Sequence, residues 1–306
     1  GFLNNEYAWR GNVNEVKDAI ILAGGMGTRM LPASLLVPKE TLPLIDTPGI
    51  NHLIWEAAKA GISRIHLVLS KRKEEHLKQF ITEGGVYANT VRKDLPREAL
   101  AIGVEGIEIF THVQKNPGGV ADAISVALTD VEGPFLVLLG DMIMIETHLS
   151  PKFSGPENAS SSSRSLVDKF EQSGLPCVGV IPVDGDQISN YGVVEITEGM
   201  VSSIVEKPSP EEAPSRYILC GRYLLPQNTA RILKDFPVSE YGELQSIQLL
   251  RHLIESSGLN AVKLDEMQMY DSGDPLSWLK SQIDHGLRRK DISQELYEWI
   301  FERVSE

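Results

Sequence analysis

Close to the start of the chain, a short apolar run, DAIIL (Asp18–Leu22), gives way to AGGMGTRMLPAS (Ala23–Ser34). Successive small residues let backbone N–H groups close around an anion, and such a nest binds phosphate. Arg29 stands directly behind them and offers a bidentate charged contact. The pattern G-x-x-x-x-G-K-[ST] is absent, which disfavours a P-loop kinase or ATPase. The dinucleotide fingerprint G-x-G-x-x-G fails as well, because Met30 stands at its third glycine position. The glycines alone leave two readings open, a phosphate cradle and a plain tight turn after a strand. A second residue that invites chemistry is Asp141, in LLGDM (Leu138–Met142), just past the apolar run FLVLL. A carboxylate at a strand end either caps a turn or offers oxygen to a hard cation.

The elements that must position these residues follow from periodicity. Asp18–Ala23 reads as a buried strand that ends in glycines. Pro32, Pro38 and Pro43 break the loop beyond it. Pro48 opens a helix over 49–60, with Ile50, Leu53, Ile54 and Ala57 on one face and Gly61 at its end. Arg64–Ser70 is a second strand, so the first part of the chain is a β-loop-α-β unit of a parallel sheet. Further on, Lys73–Thr82 reads as a helix, Ile107–Val113 as a strand, Val120–Leu128 as a helix and Phe135–Leu139 as a strand. Ala159–Ser165 (ASSSSRS) reads as a low-complexity surface loop. Cys177–Pro182 is a strand. Tyr191–Ile196 and Val201–Val205 form a hairpin about Glu198-Gly199. Ile218–Leu224 is a strand, Leu244–Glu255 an amphipathic helix, Ala261–Leu264 a short strand, and the chain from Pro275 onward is helical. Its last segment, Ile292–Val304, is amphipathic, and Leu296, Trp299, Ile300 and Val304 read as the packing face of an intramolecular lid in preference to an interface. The expected fold is α/β, a mixed and mostly parallel central sheet flanked by helices on both faces. Ligands then sit beyond the carboxyl ends of the strands, where the glycine loop and Gly140-Asp141 both lie. The expected organisation is an N-terminal extension over 1–16, then one domain over 17–306. Within that domain a substrate subregion lies at about 175–275 and helices at about 275–306.

Composition sets the outer limits. The chain has 306 residues, 42% hydrophobic and 23% charged, with a formal net charge of -13. So acidic a protein lacks the electrostatic footprint of a nucleic-acid binder. Acidic substrates would have to be met by local cations. No apolar run approaches the ~18 residues of a membrane span, and the first residues carry no signal-peptide pattern. The two cysteines, Cys177 and Cys220, lie in apolar stretches and read as buried free thiols, which fits a cytoplasmic location.

The longer string decides between the readings of the loop. AGGMGTRMLP followed by VPKETLPLIDTPGI (Val37–Ile50) resembles the signature of the sugar-1-phosphate nucleotidylyltransferases, GG-x-GTR-x-P and then P-K-x-x-L-P. The resemblance continues in order along nearly the whole chain. Within that family it is strongest to the bacterial UTP–glucose-1-phosphate uridylyltransferases, in RMLPAS, PKETLP, AGI, YGVVE and VEKPSPEEAPSRYILCGRYLLP. The resemblance implies a Rossmann-like nucleotidyltransferase fold and a Mg²⁺-dependent reaction of a nucleoside triphosphate with a sugar 1-phosphate. It also implies a homo-oligomer, dimer or tetramer.

Roles carry over residue by residue. Ala23 and Gly24 would meet the nucleoside through backbone. Gly25, Gly27 and Thr28 would wrap the triphosphate, and Arg29 would hold the departing pyrophosphate. Lys39 would neutralise the α-phosphate. In VQKNPGGVADA (Val113–Ala123), Gln114 would read the base edge and Gly119 would let the base lie close. An amide that donates and accepts at once suits a pyrimidine imide. Asp141, with Asp271 of YDSGD, would complete the metal site. On the sugar side Gly192 would let backbone meet a hydroxyl, Glu206 would accept from hydroxyls, Lys207 would bind the sugar phosphate and Gly221 would border the hexose. The reaction so implied is in-line attack on the α-phosphorus by an oxygen that is already anionic. Catalysis then rests on positioning and charge neutralisation rather than on a general base.

The sequence departs from the uridylyltransferases at Leu35 and Leu36, where a lysine is usual, and at Arg216, where an asparagine is usual. It departs again at Gln248 in YGELQSIQLL, and at Gly140, which makes the motif L-G-D rather than L-P-D. These changes leave the reaction class intact and open the choice of partners: dTTP, CTP or GTP in place of UTP, another sugar or a cyclitol phosphate in place of glucose 1-phosphate. A glycosyltransferase would need an Asp-x-Asp motif, which Gly140-Asp141-Met142-Ile143 lacks. A non-catalytic nucleotide-binding regulatory subunit would be expected to have lost Arg29, Lys39, Asp141 or Lys207, and all four are present.

Overall fold

A computed structural model describes residues 15–81, 93–116, 118–235 and 246–305. The strands are β1 (Asp18–Leu22), β2 (Pro43–Leu44), β3 (Thr47–Pro48), β4 (Arg64–Leu69), β5 (Glu108–Val113), β6 (Phe135–Leu139), β7 (Met142–Ile145), β8 (Cys177–Pro182), β9 (Gly192–Thr197), β10 (Met200–Glu206), β11 (Tyr217–Leu225), β12 (Asn260–Lys263) and β13 (Gln268–Asp271). The helices are α1 (Ala33–Leu36), α2 (Gly49–Lys59), α3 (Lys71–Ile81), α4 (Val120–Ala127), α5 (Ser162–Ser173), α6 (Thr229–Lys234), α7 (Ser246–Ser256), α8 (Pro275–Arg288) and α9 (Ser293–Ser305).

Nine strands form the main sheet, in the order β5-β4-β1-β6-β11-β8-β12-β10-β9. β5, β4, β1 and β6 run parallel. β11 runs against both β6 and β8, so β8 and its parallel neighbour β12 return to the direction of the first four. The β9–β10 hairpin turns at Glu198 and Gly199, both with positive φ (51° and 79°) as a two-residue hairpin turn requires. It folds back so that Val193 meets Ile218 of β11.

Both faces of the sheet are buried, which is why the strands read as continuous apolar runs rather than alternating ones. Ala19 and Ile21 of β1 pack with Ile50, Leu53, Ile54 and Ala57 of α2 and with Leu166 and Phe170 of α5. Ile20, between them, faces the other way with Ala121 and Ile124 of α4 and Leu250 and Leu253 of α7. Cys177 and Cys220 are buried free thiols, and burial pushes each up to about 12. Among the described residues no helix is long and apolar enough to cross a membrane.

Two expectations are corrected. ASSSSRS is not a surface loop: α5 begins inside it, and Ser162 and Ser163 are fully buried. Their hydroxyls find partners far away in sequence or on a neighbouring turn. Ser163 Oγ donates to Glu56 Oε1 at 2.6 Å, and Ser162 pairs with Ser160. Composition cannot register such partners. The second correction concerns α9, read as a packed lid over Leu296, Trp299, Ile300 and Val304. Leu296 and Ile300 are half-buried, but Trp299 and Val304 remain 55% and 76% exposed. Arg289, ion-paired to Asp46 and Asp291, holds the turn between α8 and α9, and α9 leans on α8 instead of closing over the sheet. The amphipathic helix expected from Leu244 is described from Ser246; Leu244 and Gln245 lie outside the described residues.

Candidate functional site

The glycine loop leaves β1 at the carboxyl edge of the parallel strands and is pinned at its root from both sides. Ala23 N donates to Val68 O of β4, and Gly140 N, just past β6, donates to Leu22 O, each at 2.9 Å. Gly27 adopts the left-handed region (φ 65°), which turns the chain into Thr28 and Arg29. Ser34 Oγ closes the turn by donating to Gly27 O at 2.7 Å. Ala23 is buried, whereas Gly25, Thr28 and Arg29 are exposed at the mouth. Leu35 and Leu36 are exposed beside them.

Lys39 reaches across this mouth. Its Nζ donates to Asp141 Oδ2 at 2.7 Å, and its aliphatic stem passes beside Gly27. Burial works against the charge on Lys39, but the attraction of Asp141 and Glu40 outweighs it and raises the ammonium above its usual range. Asp141 responds in kind: burial raises it, Lys39 more than offsets this, and the carboxyl sits below its ordinary value. Both groups are therefore ionised at neutral pH.

Asp271 joins them through the small sheet in which β13 pairs with β7, placing Asp271 opposite Met142. Ser272 N donates to Asp141 O at 2.9 Å, which locks the two aspartates side by side. Burial, and then the charge of Asp141, push Asp271 up. Its oxygens accept from Gly273 N at 2.6 Å and from the Tyr191 hydroxyl at 3.2 Å. A methyl group built on Gly273 would stand 2.7 Å from Asp271 Oδ1 and 3.0 Å from Arg29 Nη2, so this glycine leaves room for the guanidinium beside the carboxylate.

Gly24, Gln114 and Gly119, expected on the nucleoside side, lie together. Gln114 N continues the β5 edge by donating to Leu69 O, and its amide donates to Asp122 Oδ2 at 2.7 Å. Gly119 O lies 3.5 Å from the same amide nitrogen. A methyl group on Gly24 would meet Gln114 Oε1 at 3.0 Å, so the amide oxygen and the glycine backbone share one narrow space.

The residues expected on the sugar side gather around β9, β10 and β11. Gly192 lies against Glu206, whose Oε2 would be 3.2 Å from an added methyl group. Lys207 has positive φ (46°), and its N–H donates to Tyr191 O at 3.0 Å, which fixes the turn after β10. Its side chain is exposed and pairs with Glu206 at 4.0 Å. Gly221 (φ 72°) sits under Met142, and a methyl group there would meet Met142 Sδ at 2.8 Å. Gly221 therefore borders the turn between β6 and β7 that carries Asp141.

The nucleotidyl transferase family profile matches residues 18–284. The chain belongs to that family. It is 31% identical over 296 residues to the UTP–glucose-1-phosphate uridylyltransferase YngB of Bacillus subtilis strain 168, covering 94% of this chain and 95% of the other. Its backbone superposes on a UTP-bound UDP-glucose pyrophosphorylase from Acinetobacter baumannii with a TM-score of 0.78 at 26% identity, covering 94% of this chain and 99% of the other. A UDP-glucose pyrophosphorylase complexed with UDP-glucose matches with a TM-score of 0.73 at 26% identity, over 89% and 98% of the two chains. The family's fold and its reaction class, nucleotidyl transfer, are thus those of this chain.

Several groups that shape this candidate site escaped the sequence reading. Glu40 and Lys73 are buried side by side beneath the glycine loop, and Lys73 Nζ contacts both carboxylate oxygens of Glu40 at 2.9 and 2.7 Å. Burial pushes Glu40 up and Lys73 down, and their mutual attraction opposes both shifts. The signal was present, since Lys73 shares one face of α3 with buried Leu77 and a lysine on an apolar face requires a partner. Tyr191, between Lys207 and Asp271, left no such trace.

Proposed function

We propose that this enzyme transfers the uridylyl group of UTP to glucose 1-phosphate, giving UDP-glucose and pyrophosphate, with Mg²⁺ as cofactor. The observation that carries the proposal is the meeting of Lys39, Asp141 and Asp271 at the mouth of a glycine loop, in a chain related over 94% of its length to a uridylyltransferase. The donor set suits the metal. Two neighbouring half-buried carboxylates, one of them raised by burial and by the charge of the other, form an all-oxygen site that a hard divalent cation relieves and that leaves other positions to water and phosphate. When bound by Asp141 and Asp271, Mg²⁺ would neutralise phosphate charge. The remaining work falls to the chain's own residues.

In this reading Gly25, Gly27 and Thr28 hold the triphosphate, with Gln114 and Gly119 at the base and Ala23 and Gly24 along the nucleoside. A phosphate oxygen of glucose 1-phosphate forms a bond to the α-phosphorus. The bond from that phosphorus to the bridging oxygen breaks, and the electron pair leaves with pyrophosphate, which Arg29 receives. Lys39 offsets the charge that accumulates on the α-phosphate. Lys207 holds the sugar phosphate, Glu206 and Gly192 the hydroxyls, and Gly221 keeps the hexose floor open. The nucleophile arrives as an anion, so no proton has to be removed. We read the chain as cytoplasmic and as one nucleotidyltransferase domain over 17–306. The exposed stripe Leu276, Leu279, Ile283 and Leu287 on α8 supports a homo-oligomer, dimer or tetramer, which sedimentation equilibrium measures.

The test is pyrophosphate release with Mg²⁺, crossing UTP, dTTP, CTP, GTP and ATP against glucose 1-phosphate and a panel of other sugar and cyclitol phosphates. Turnover fastest with UTP and glucose 1-phosphate is expected. Turnover confined to another pair would overturn the substrate assignment and keep the reaction.

A further inference from the structure

Lys73 sits under the glycine loop with a full set of partners. Its Nζ lies 2.7 Å from Ala23 O and 2.6 Å from Gly25 O, besides both oxygens of Glu40. An ammonium has three protons, and here they are spread over four acceptors within hydrogen-bond reach. The side chain is almost completely buried, and it crosses from α3 to two alternate residues of the loop, about fifty positions earlier in the chain.

The two carbonyls it takes belong to the peptide units 23–24 and 25–26, both trans. In a planar trans peptide the N–H points opposite to the C=O. Drawing the carbonyls of Ala23 and Gly25 inward onto one cation therefore turns the N–H groups of Gly24 and Met26 away from α3, towards the open side of the loop. That side is where Gly25 and Met26 are exposed. A run of glycines has no intrinsic preference for this arrangement, because each can rotate its peptide planes at little cost. Something must set the orientation before an anion arrives, or binding has to supply the ordering free energy itself.

The geometry points to Lys73 as the positioning residue of the phosphate loop: it fixes the peptide planes of Ala23 and Gly25 so that the loop presents the Gly24 N–H on the nucleoside side of a bound UTP and the Met26 N–H on its triphosphate side. Glu40 neutralises the buried ammonium and, being next to Lys39 in sequence, ties the loop to the cation that reaches Asp141. This inference rests on the reading that the loop binds a triphosphate.

The experiment compares the full chain with Lys73→Met and with Lys73→Met/Glu40→Gln, the second of which avoids leaving a carboxylate alone in the interior. Circular dichroism and a cooperative melt establish folding. UTP binding to the wild-type chain is measured first by calorimetry; its absence would refute the triphosphate reading itself. With that secured, KM is measured for UTP at saturating glucose 1-phosphate, and for glucose 1-phosphate at saturating UTP. Loss of two charge-assisted hydrogen bonds from the loop is expected to raise KM and Kd for UTP about 10- to 100-fold in the folded double variant, while KM for glucose 1-phosphate stays within about twofold. A folded double variant with an unchanged UTP KM, or with both KM values shifted equally, would overturn the assignment, since general loosening would not single out the triphosphate.

Discussion

Replacing Gly140 by alanine tests the link between strand packing and catalysis most directly. Gly140 follows the last residue of β6 and donates its N–H to Leu22 O at 2.9 Å. A Cβ at this position would lie 2.4 Å from Leu22 O and 3.2 Å from Glu40 Cγ. Real Cβ atoms do not come closer than 3.0 Å, so the ends of β1 and β6 must part by at least about 0.6 Å. The atom in the way is backbone at the root of the glycine loop, and no rotamer relieves the contact. We expect Gly140→Ala to lose about 1–3 kcal/mol of stability, the usual range for overpacking. It should also lose up to about 100-fold in kcat/KM, because Asp141 moves with Gly140 and displacements approaching 1 Å in a positioned site cost on that order. Urea unfolding gives the first quantity and pyrophosphate release the second. An alanine variant that unfolds within about 0.5 kcal/mol of the parent, the level of a neutral surface change, and keeps its turnover would refute the reasoning.

Other outcomes follow from the same geometry. Lys39→Met is expected to lower kcat by about 10²- to 10³-fold, as removal of a preorganised charge at a developing anion does, and near-normal turnover would remove Lys39 from the mechanism. Gly24→Ala puts a methyl group 3.0 Å from Gln114 Oε1; the displaced amide should shrink the preference for UTP over CTP, read as the ratio of their kcat/KM values. Asp271→Asn removes a carboxylate held up by burial and by Asp141. In the absence of divalent ions its melting temperature at neutral pH should rise, while Mg²⁺ should stabilise the parent and not the variant. Asp18, buried at the start of β1, is raised by burial, but hydrogen bonds from His66 and Arg64 more than offset this and leave it below its usual value. A lowered carboxyl stabilises above its unfolded pKa of about 3.9, and that contribution is lost as pH falls through the folded value. Asp18→Asn should therefore weaken the protein at neutral pH and flatten its acid unfolding below about pH 4, measured by urea midpoints across that window.

Much of this molecule is determined by local order along the chain. DAIIL before AGGMGTR reads as a buried strand ending in a tight turn, because apolar continuity and consecutive small residues are properties of neighbours. The α2 face of Ile50, Leu53, Ile54 and Ala57 follows from spacing alone, and so does the turn at Glu198-Gly199. The motif string fixes the family for the same reason, since every residue in it is read at a set distance from the next. What the sequence alone left undecided is whatever depends on pairing across the fold. ASSSSRS reads as a solvated loop until Glu56 supplies a partner for Ser163. α9 reads as a lid until the Arg289 turn sets it against α8. Asp141 and Asp271 are far apart in sequence and become one site only because β7 pairs with β13. Lys73 looks like one cation among several on α3 until the loop carbonyls of Ala23 and Gly25 arrive above it. Strand pairing and buried polar contacts join residues whose separation in sequence carries no information about their distance. Only the tertiary structure could turn the motifs into a site.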